Sequence, residues 1–183
     1  MPKIVDHDAR RIEILEGCFI LFANQGYAQL SMRQLAMSLG VTTGTLYHYF
    51  SSKQQIFEEL FRLLQKQDIQ LVTAQFTEAY SLSKRLLVLK EFVLNNLDRL
   101  SNILKVALEY QRVQGVEESS IVITELVSGY KEAIAENLQI PVLLADTILS
   151  LIFGLLVQHI FNPEGDVAVQ LNLGLQVIST LLE

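Results

Sequence analysis

Apolar residues recur every three to four positions along nearly the whole chain, and no stretch alternates apolar and polar long enough to read as a strand. The first periodic segment covers 8–25. Ile12, Leu15, Phe19 and Phe22 fall at helical spacing, Ile14, Cys18 and Leu21 lie beside them, and Gly26 supplies the stop. A short helix opens at Ser31, where Ser31-Met32-Arg33-Gln34 fits a capping box, turns Leu35, Ala36 and Leu39 inward, and ends at Gly40. After the single step Val41, a third short helix covers about 42–50. Ser52-Lys53-Gln54-Gln55 fits a second capping box and opens a long helix to about 76, with Ile56, Leu60 and Leu64 on its inner stripe. Helical periodicity then predicts segments over 83–97, 101–113, 118–138 and 143–161. Asn162-Pro163-Glu164-Gly165 makes a strong turn, and Asp166 caps a last helix to 182. The expectation is an all-α protein of about nine helices.

Residues 31–53 turn this series of helices into a motif. Two short helices joined by Leu39-Gly40-Val41 make the tight glycine turn of a helix-turn-helix. At 100° per residue, Leu46 and Phe50 of the second helix point to the core. The opposite face centres on Gly44 and His48, flanked by Thr45 and Tyr47. Hydroxyl and aromatic groups suit phosphate oxygens and thymine methyls, and a bare glycine lets a backbone come close. An ordinary solvated helix would more often carry Glu and Lys. The formal net charge of −6 argues at first against nucleic acid, but its distribution does not. Up to Lys53 the cations are Lys3, Arg10, Arg11, Arg33 and Lys53, and no acid stands between Gly17 and Gln55. Most of the negative charge lies beyond residue 67. A weakly basic head on an acidic body is compatible with DNA binding at one end.

Taken together, Phe22-Ala23-Asn24-Gln25-Gly26-Tyr27, Leu30-Ser31-Met32-Arg33-Gln34-Leu35-Ala36, Leu39-Gly40-Val41 and Gly44-Thr45-Leu46-Tyr47-His48-Tyr49-Phe50-Ser51-Ser52-Lys53 resemble the signature of the TetR family of transcriptional regulators. The resemblance covers roughly the first third of the chain. It implies a homodimeric repressor that binds operator DNA and is released by a small effector, and the Leu, Ile, Val and Phe that dominate the later helices make that effector apolar by expectation. By the same resemblance, Thr43, Gly44 and Thr45 reach bases, while Tyr47, His48 or Tyr49, and Lys53 reach phosphates. Ser31, Arg33 and Thr42 complete the candidate DNA-binding set, and Met32 stands where the family often has a second hydroxyl. Arg10 and Arg11, or Lys3 in an arm, are candidates for further backbone contacts, with solvated surface charge an equal reading. The division this suggests is a DNA-binding domain over 1–53 and a helical ligand-binding and dimerisation domain over 54–183.

The last two helices carry a different signal. Ile148, Leu149, Leu151, Ile152, Phe153, Leu155, Leu156, Val157 and Ile160 cover every side of their helix, so each side needs a cover. The final helix has two apolar rows: Val167, Leu171, Leu175, Ile178 and Leu182, and Val169, Leu173, Val177 and Leu181. Gly154 and Gly174 permit close crossings. Leu151, Gly154, Leu155, Gln158, Leu171, Gly174, Leu175 and Ile178 are the candidate interface of an isologous four-helix bundle, with a purely internal core as the competing reading. Asn95, Tyr110, Gln111, Tyr130 and Gln158 are isolated polar groups able to orient an apolar ligand, although each alone reads more readily as a surface or satisfied core residue. None of the three histidines, His7, His48 and His159, has Glu or Asp three residues before it, and no glycine-rich phosphate loop or Gly-x-Ser-x-Gly is present. No enzyme, metal or cofactor is therefore expected. An activator, or a regulator governed by a protein partner, remains the alternative within the same fold. The single cysteine, Cys18, reads as a small buried hydrophobe. The N-terminus has no apolar signal core, and the apolar part of 147–163 reads as too short to span a bilayer, so the expected location is the cytoplasm, with the nucleoid and away from the membrane.

Overall fold

The computed structural model describes residues 7–76 and 81–182. Lys3 lies outside the described residues, as do the side chains of Leu181 and Leu182. Among the described residues there are nine helices and no strand: α1 (His7–Gln25), α2 (Met32–Ser38), α3 (Thr43–Tyr49), α4 (Lys53–Thr73), α5 (Leu82–Asn95), α6 (Leu97–Gln114), α7 (Val116–Leu138), α8 (Val142–Phe161) and α9 (Val167–Leu182).

The helix starts follow from local chemistry. Ser31 caps α2 reciprocally: its hydroxyl accepts from the Gln34 N–H at 3.3 Å, and Gln34 Oε1 accepts from the Ser31 N–H at 2.9 Å. Thr42 caps α3 by accepting the Thr45 N–H at 3.0 Å. Gly40, with φ +68°, makes the left-handed step between the two helices. At α4 the reciprocal cap is displaced by one residue. Ser52 Oγ accepts the Gln55 N–H, whereas Gln55 Oε1 accepts from the Ser51 N–H at 2.7 Å. Asp166 caps α9 through the Val169 N–H at 3.1 Å.

The chain forms two compact units. The first comprises residues up to Leu64 together with Lys105–Val122, and the second Gln65–Leu104 with Ile123 onward. By packing, then, the first unit includes more than residues 1–53, because Ile56, Phe57, Leu60 and Tyr110 complete its core. Tyr110 stacks on Phe57 with ring centroids 3.6 Å apart and meets Tyr27 edge-on at 5.4 Å. The buried face of α1 is Ile14, Leu15, Cys18 and Phe22; Ile12 is exposed and Phe19 half-buried, so the face is turned from the expected one. Cys18 is fully buried, and burial pushes its thiol up to about 12, as befits a packed hydrophobe.

In the second unit α9 packs on α8 and α5. The core takes Leu86, Leu89 and Val93 from α5, Ile148, Ile152 and Leu155 from α8, and Leu171, Leu175 and Ile178 from α9. Of the expected interface residues, Leu155, Leu171, Leu175 and Ile178 are buried within the chain itself, because the first row of α9 turns inward. The second row remains exposed, with Val169 at 52%, Leu173 at 56% and Val177 at 61%. Gly174 is also used internally, since a side-chain carbon there would collide with Leu151 Cδ2, whereas Gly154 faces open space. By length and composition α8 is sufficient to cross a membrane, contrary to expectation, but Ala145, Ile148, Leu149, Ile152, Leu155 and Leu156 line one side of it as a core helix.

Candidate nucleic-acid interface

The first unit presents α3 as the sequence orders it. Leu46 and Phe50 are buried, which fixes the rotation of the helix. Gly44, Tyr47 and His48 are exposed, and Thr43, Thr45 and Tyr49 are half-buried beside them. A carbon added to Gly44 would meet nothing nearer than Thr42 Oγ1 at 3.8 Å, so nothing inside the fold requires glycine there. Thr42 and Thr45 share a hydroxyl hydrogen bond of 2.8 Å, which orders the first turn of the exposed face. Ser31 and Arg33 are exposed on α2, while Met32 is buried and takes no part in the surface. His7 brings α1 to the end of α3, its ring 5.9 Å from His48 and 5.8 Å from Tyr49.

Two of the cations have internal roles. Arg11, considered above for DNA backbone, donates to both oxygens of Glu59 at 2.7 and 2.6 Å and to the Tyr49 carbonyl at 2.6 Å. Its guanidinium also lies 4.4 Å from the Phe50 ring centroid, so it clamps the end of α3 onto α4. The Glu59 hydrogen bond, opposed by burial, raises the Arg11 pKa. Burial alone would raise the Glu59 carboxyl, but hydrogen bonds from Arg11 and Gln55 and the charges of Arg11 and Arg62 hold it below its ordinary value. Arg10 pairs with Glu13 at 2.6 Å. Lys53 donates to the Tyr27 carbonyl at 2.8 Å and sits over the Tyr27 ring.

The five candidate ligand groups fall in different units. Tyr110 and Gln111 belong to the first unit, and Tyr110 is part of its aromatic core. Asn95 and Gln158 are exposed in the second unit. Gln158 borders a groove of about 310 Å³ with Val157, Phe161, Asn162, Gly165, Val167 and Gln170. Tyr130 donates to Asp68 Oδ2 at 2.8 Å, and its own pKa is raised, first by burial and then by the Asp68 charge. Arg99 pairs with the other oxygen of Asp68, which is 1% exposed. His159 pairs with Asp98 at 2.8 Å. The Asp68–Arg99 pair was missed from the sequence. Its signal is a row that breaks, since four residues after Leu64 on the Ile56–Leu60–Leu64 stripe comes an acid.

Residues 14–60 match the family model for bacterial regulatory proteins of the tetR family. The transcriptional repressor KstR2 of Mycolicibacterium smegmatis is 41% identical over 54 residues, which is 30% of this chain and 26% of that protein. The transcriptional regulator PksA of Bacillus subtilis is 33% identical over 66 residues, 36% of this chain and 32% of that protein. The matches thus span about a third or less of these relatives' length. The solved fatty acid degradation regulator FadR from Bacillus halodurans has TM-score 0.73 at 20% identity and covers 97% of this chain and 96% of its own. A transcriptional regulator from Aquifex aeolicus has TM-score 0.67 at 16% identity, with 93% and 99% covered. The likeness of fold therefore extends over nearly the whole chain, and the likeness of sequence is confined to its N-terminal part.

Proposed function

We propose, because residues 14–60 match the family model for bacterial regulatory proteins of the tetR family, that this chain is a homodimeric transcriptional repressor released from its operator by a small apolar effector. The observation that carries the reading is the exposed face of α3, which offers Gly44, Tyr47 and His48 with half-buried Thr43, Thr45 and Tyr49 and carries no acid. Thr43, Gly44 and Thr45 are assigned to base edges; Tyr47, His48, Tyr49 and Lys53, with Ser31, Arg33 and Thr42, to the sugar-phosphate backbone. All of these fall at or before Lys53, which leaves 54–183 for effector binding and dimerisation. Such a protein acts where the DNA is, in the cytoplasm, and needs no cofactor.

Two copies are required because one recognition helix of seven residues reads too few bases. The exposed row Val169, Leu173 and Val177, together with Val157, Phe161 and the open Gly154, supports an isologous pairing of α8 and α9 with their copies. The operator should then be a pseudo-palindrome with half-site centres about one helical turn apart or slightly more. Selection of binding sequences from a random duplex pool tests this directly. Recovery of no sequence, or of single half-sites only, would sink the dimeric reader.

The effector reading rests on the apolar composition of the second unit and on the continuity of α4, which begins at Lys53 and runs to Thr73. An effector wedged among the helices of the second unit tilts α4 and so changes the spacing of the two recognition helices. Such couplings are worth about 1–3 kcal/mol, or roughly 5–150-fold in affinity, and act reciprocally. Calorimetry on an effector candidate with and without saturating operator checks it: equal affinities in the two conditions exclude this route.

A further inference from the structure

Lys53, assigned above to a DNA phosphate, already has an internal seat. Its Nζ donates to the Tyr27 carbonyl at 2.8 Å and lies 4.1 Å from the Tyr27 ring centroid. A carboxylate from α6 reaches the same turn. The Ala28 N–H donates to Glu109 Oε2 at 3.4 Å. A carbon on Gly26, whose φ is +86°, would fall 3.0 Å from that oxygen and 3.2 Å from Oε1. Tyr27 sits between these contacts and is fully buried, with Gln114 donating to its hydroxyl at 3.3 Å and Tyr110 edge-on against its ring. The turn at 26–28 is therefore fixed, and an ammonium on the Tyr27 carbonyl lies in the field of Glu109. Burial lowers the Lys53 pKa, and the Glu109 charge opposes that shift.

We propose that Glu109 is a positioning residue that restrains DNA binding by holding Lys53 in its inward seat, so that a DNA phosphate must compete with a protein carboxylate for the same ammonium. The inference rests on the operator-binding reading above. Lys53 has three N–H donors, of which Tyr27 takes one. To place the others on a phosphate, the ammonium must move away from Glu109 or bring the phosphate toward it. Either movement loses Coulomb energy that a neutral side chain at 109 would not exact. A glutamine there still offers an oxygen to the Ala28 N–H, so Glu109→Gln separates the charge from the hydrogen bond that orders the turn.

The test is anisotropy titration of the full chain with a labelled mixed-sequence DNA duplex, at several salt concentrations. Glu109→Gln should tighten binding by about two- to fivefold, the scale of a partly exposed charge pair. Lys53→Gln should weaken it, and Glu109→Gln added to Lys53→Gln should bring no gain. Unchanged or weaker binding by Glu109→Gln overturns the proposal. So does an equal gain in the Lys53→Gln background, since Glu109 would then act by general repulsion of DNA. A wild-type chain that binds no duplex even at low salt refutes the operator reading itself. A DNA-free readout keeps the two failures apart. In nitrogen-detected NMR the Lys53 amine should titrate lower in Glu109→Gln than in wild type, and an unmoved titration overturns the inward seat.

Discussion

Two residues show how differently the same surface can be built. Gly44 stands on the exposed face of α3, where a Cβ would make only an ordinary contact with Thr42 Oγ1 at 3.8 Å, so the fold gains nothing from glycine there. Glycine in a helix costs up to about 1 kcal/mol relative to alanine. Gly44→Ala should thus leave the melting temperature unchanged or slightly raised, while operator affinity falls about tenfold or more because the added methyl holds the backbone off the base edges. Lost stability would mean that Gly44 serves the fold. Arg11 is the opposite case, a cation near α3 whose three hydrogen bonds all go inward, to Glu59 and the Tyr49 carbonyl. The depressed pKa of Glu59 makes this clamp pH-dependent. An unfolded carboxylate titrates at about 4.3, so the stabilisation is complete above that value and is lost as pH falls through the lower, folded pKa. Melting temperatures taken from neutral pH down into this acidic range should drop more steeply for wild type than for Glu59→Gln. Parallel curves would show that the pair adds no pH-dependent stability.

At the scale of elements, α1 to α4 were legible because capping chemistry and turn glycines punctuate them. Ser31, Thr42 and Gly40 each do in the structure what their residue type dictates. What the sequence did not disclose is long-range pairing. No spacing rule brings Tyr110 onto Phe57, or Glu109 to the Ala28 N–H across 81 positions, because these contacts depend on how α6 docks and not on its own periodicity. Nor did it disclose that Tyr130, read as a ligand group, is already satisfied by Asp68. That network ties α4, α6 and α7 in the second unit through one carboxylate that is almost entirely buried. Removing one partner from a buried pair leaves an uncompensated charge and typically costs 3–5 kcal/mol, whereas replacing both with apolar groups can be neutral. Arg99 is partly exposed, so Arg99→Met should cost about 3 kcal/mol in urea denaturation, and Asp68→Leu/Arg99→Met/Tyr130→Phe, which removes the Tyr130 donor with the pair, should recover most of the loss. A single variant as stable as wild type would show that water reaches Asp68 and that the tie is weak.

At the scale of the whole molecule, the two apolar rows of α9 looked equivalent in the sequence, and only their cover tells them apart. Leu171 is fully buried against its own protomer, while Leu173 is 56% exposed two positions later, on the opposite side of the helix. The same holds on α8, where Leu155 is buried and Phe161 is 85% exposed. An apolar row of this length left in water favours association, since each buried large aliphatic contributes about 1.5–3 kcal/mol. A charge introduced into each row therefore separates folding from dimerisation. Leu171→Arg should unfold or precipitate the protein, because the guanidinium has no partner in the core. Leu173→Arg should leave far-UV circular dichroism and the fold intact, yet shift sedimentation at micromolar concentration from dimer to monomer. The monomer should keep the sequence-independent part of DNA binding, because each α3 and the phosphate contacts proposed for it are unchanged. It should lose the preference for a two-half-site duplex over a half-site, because the second reader is no longer tethered. A wild-type chain that sediments as a monomer, or a Leu173→Arg variant that remains a dimer, would move the interface away from this row.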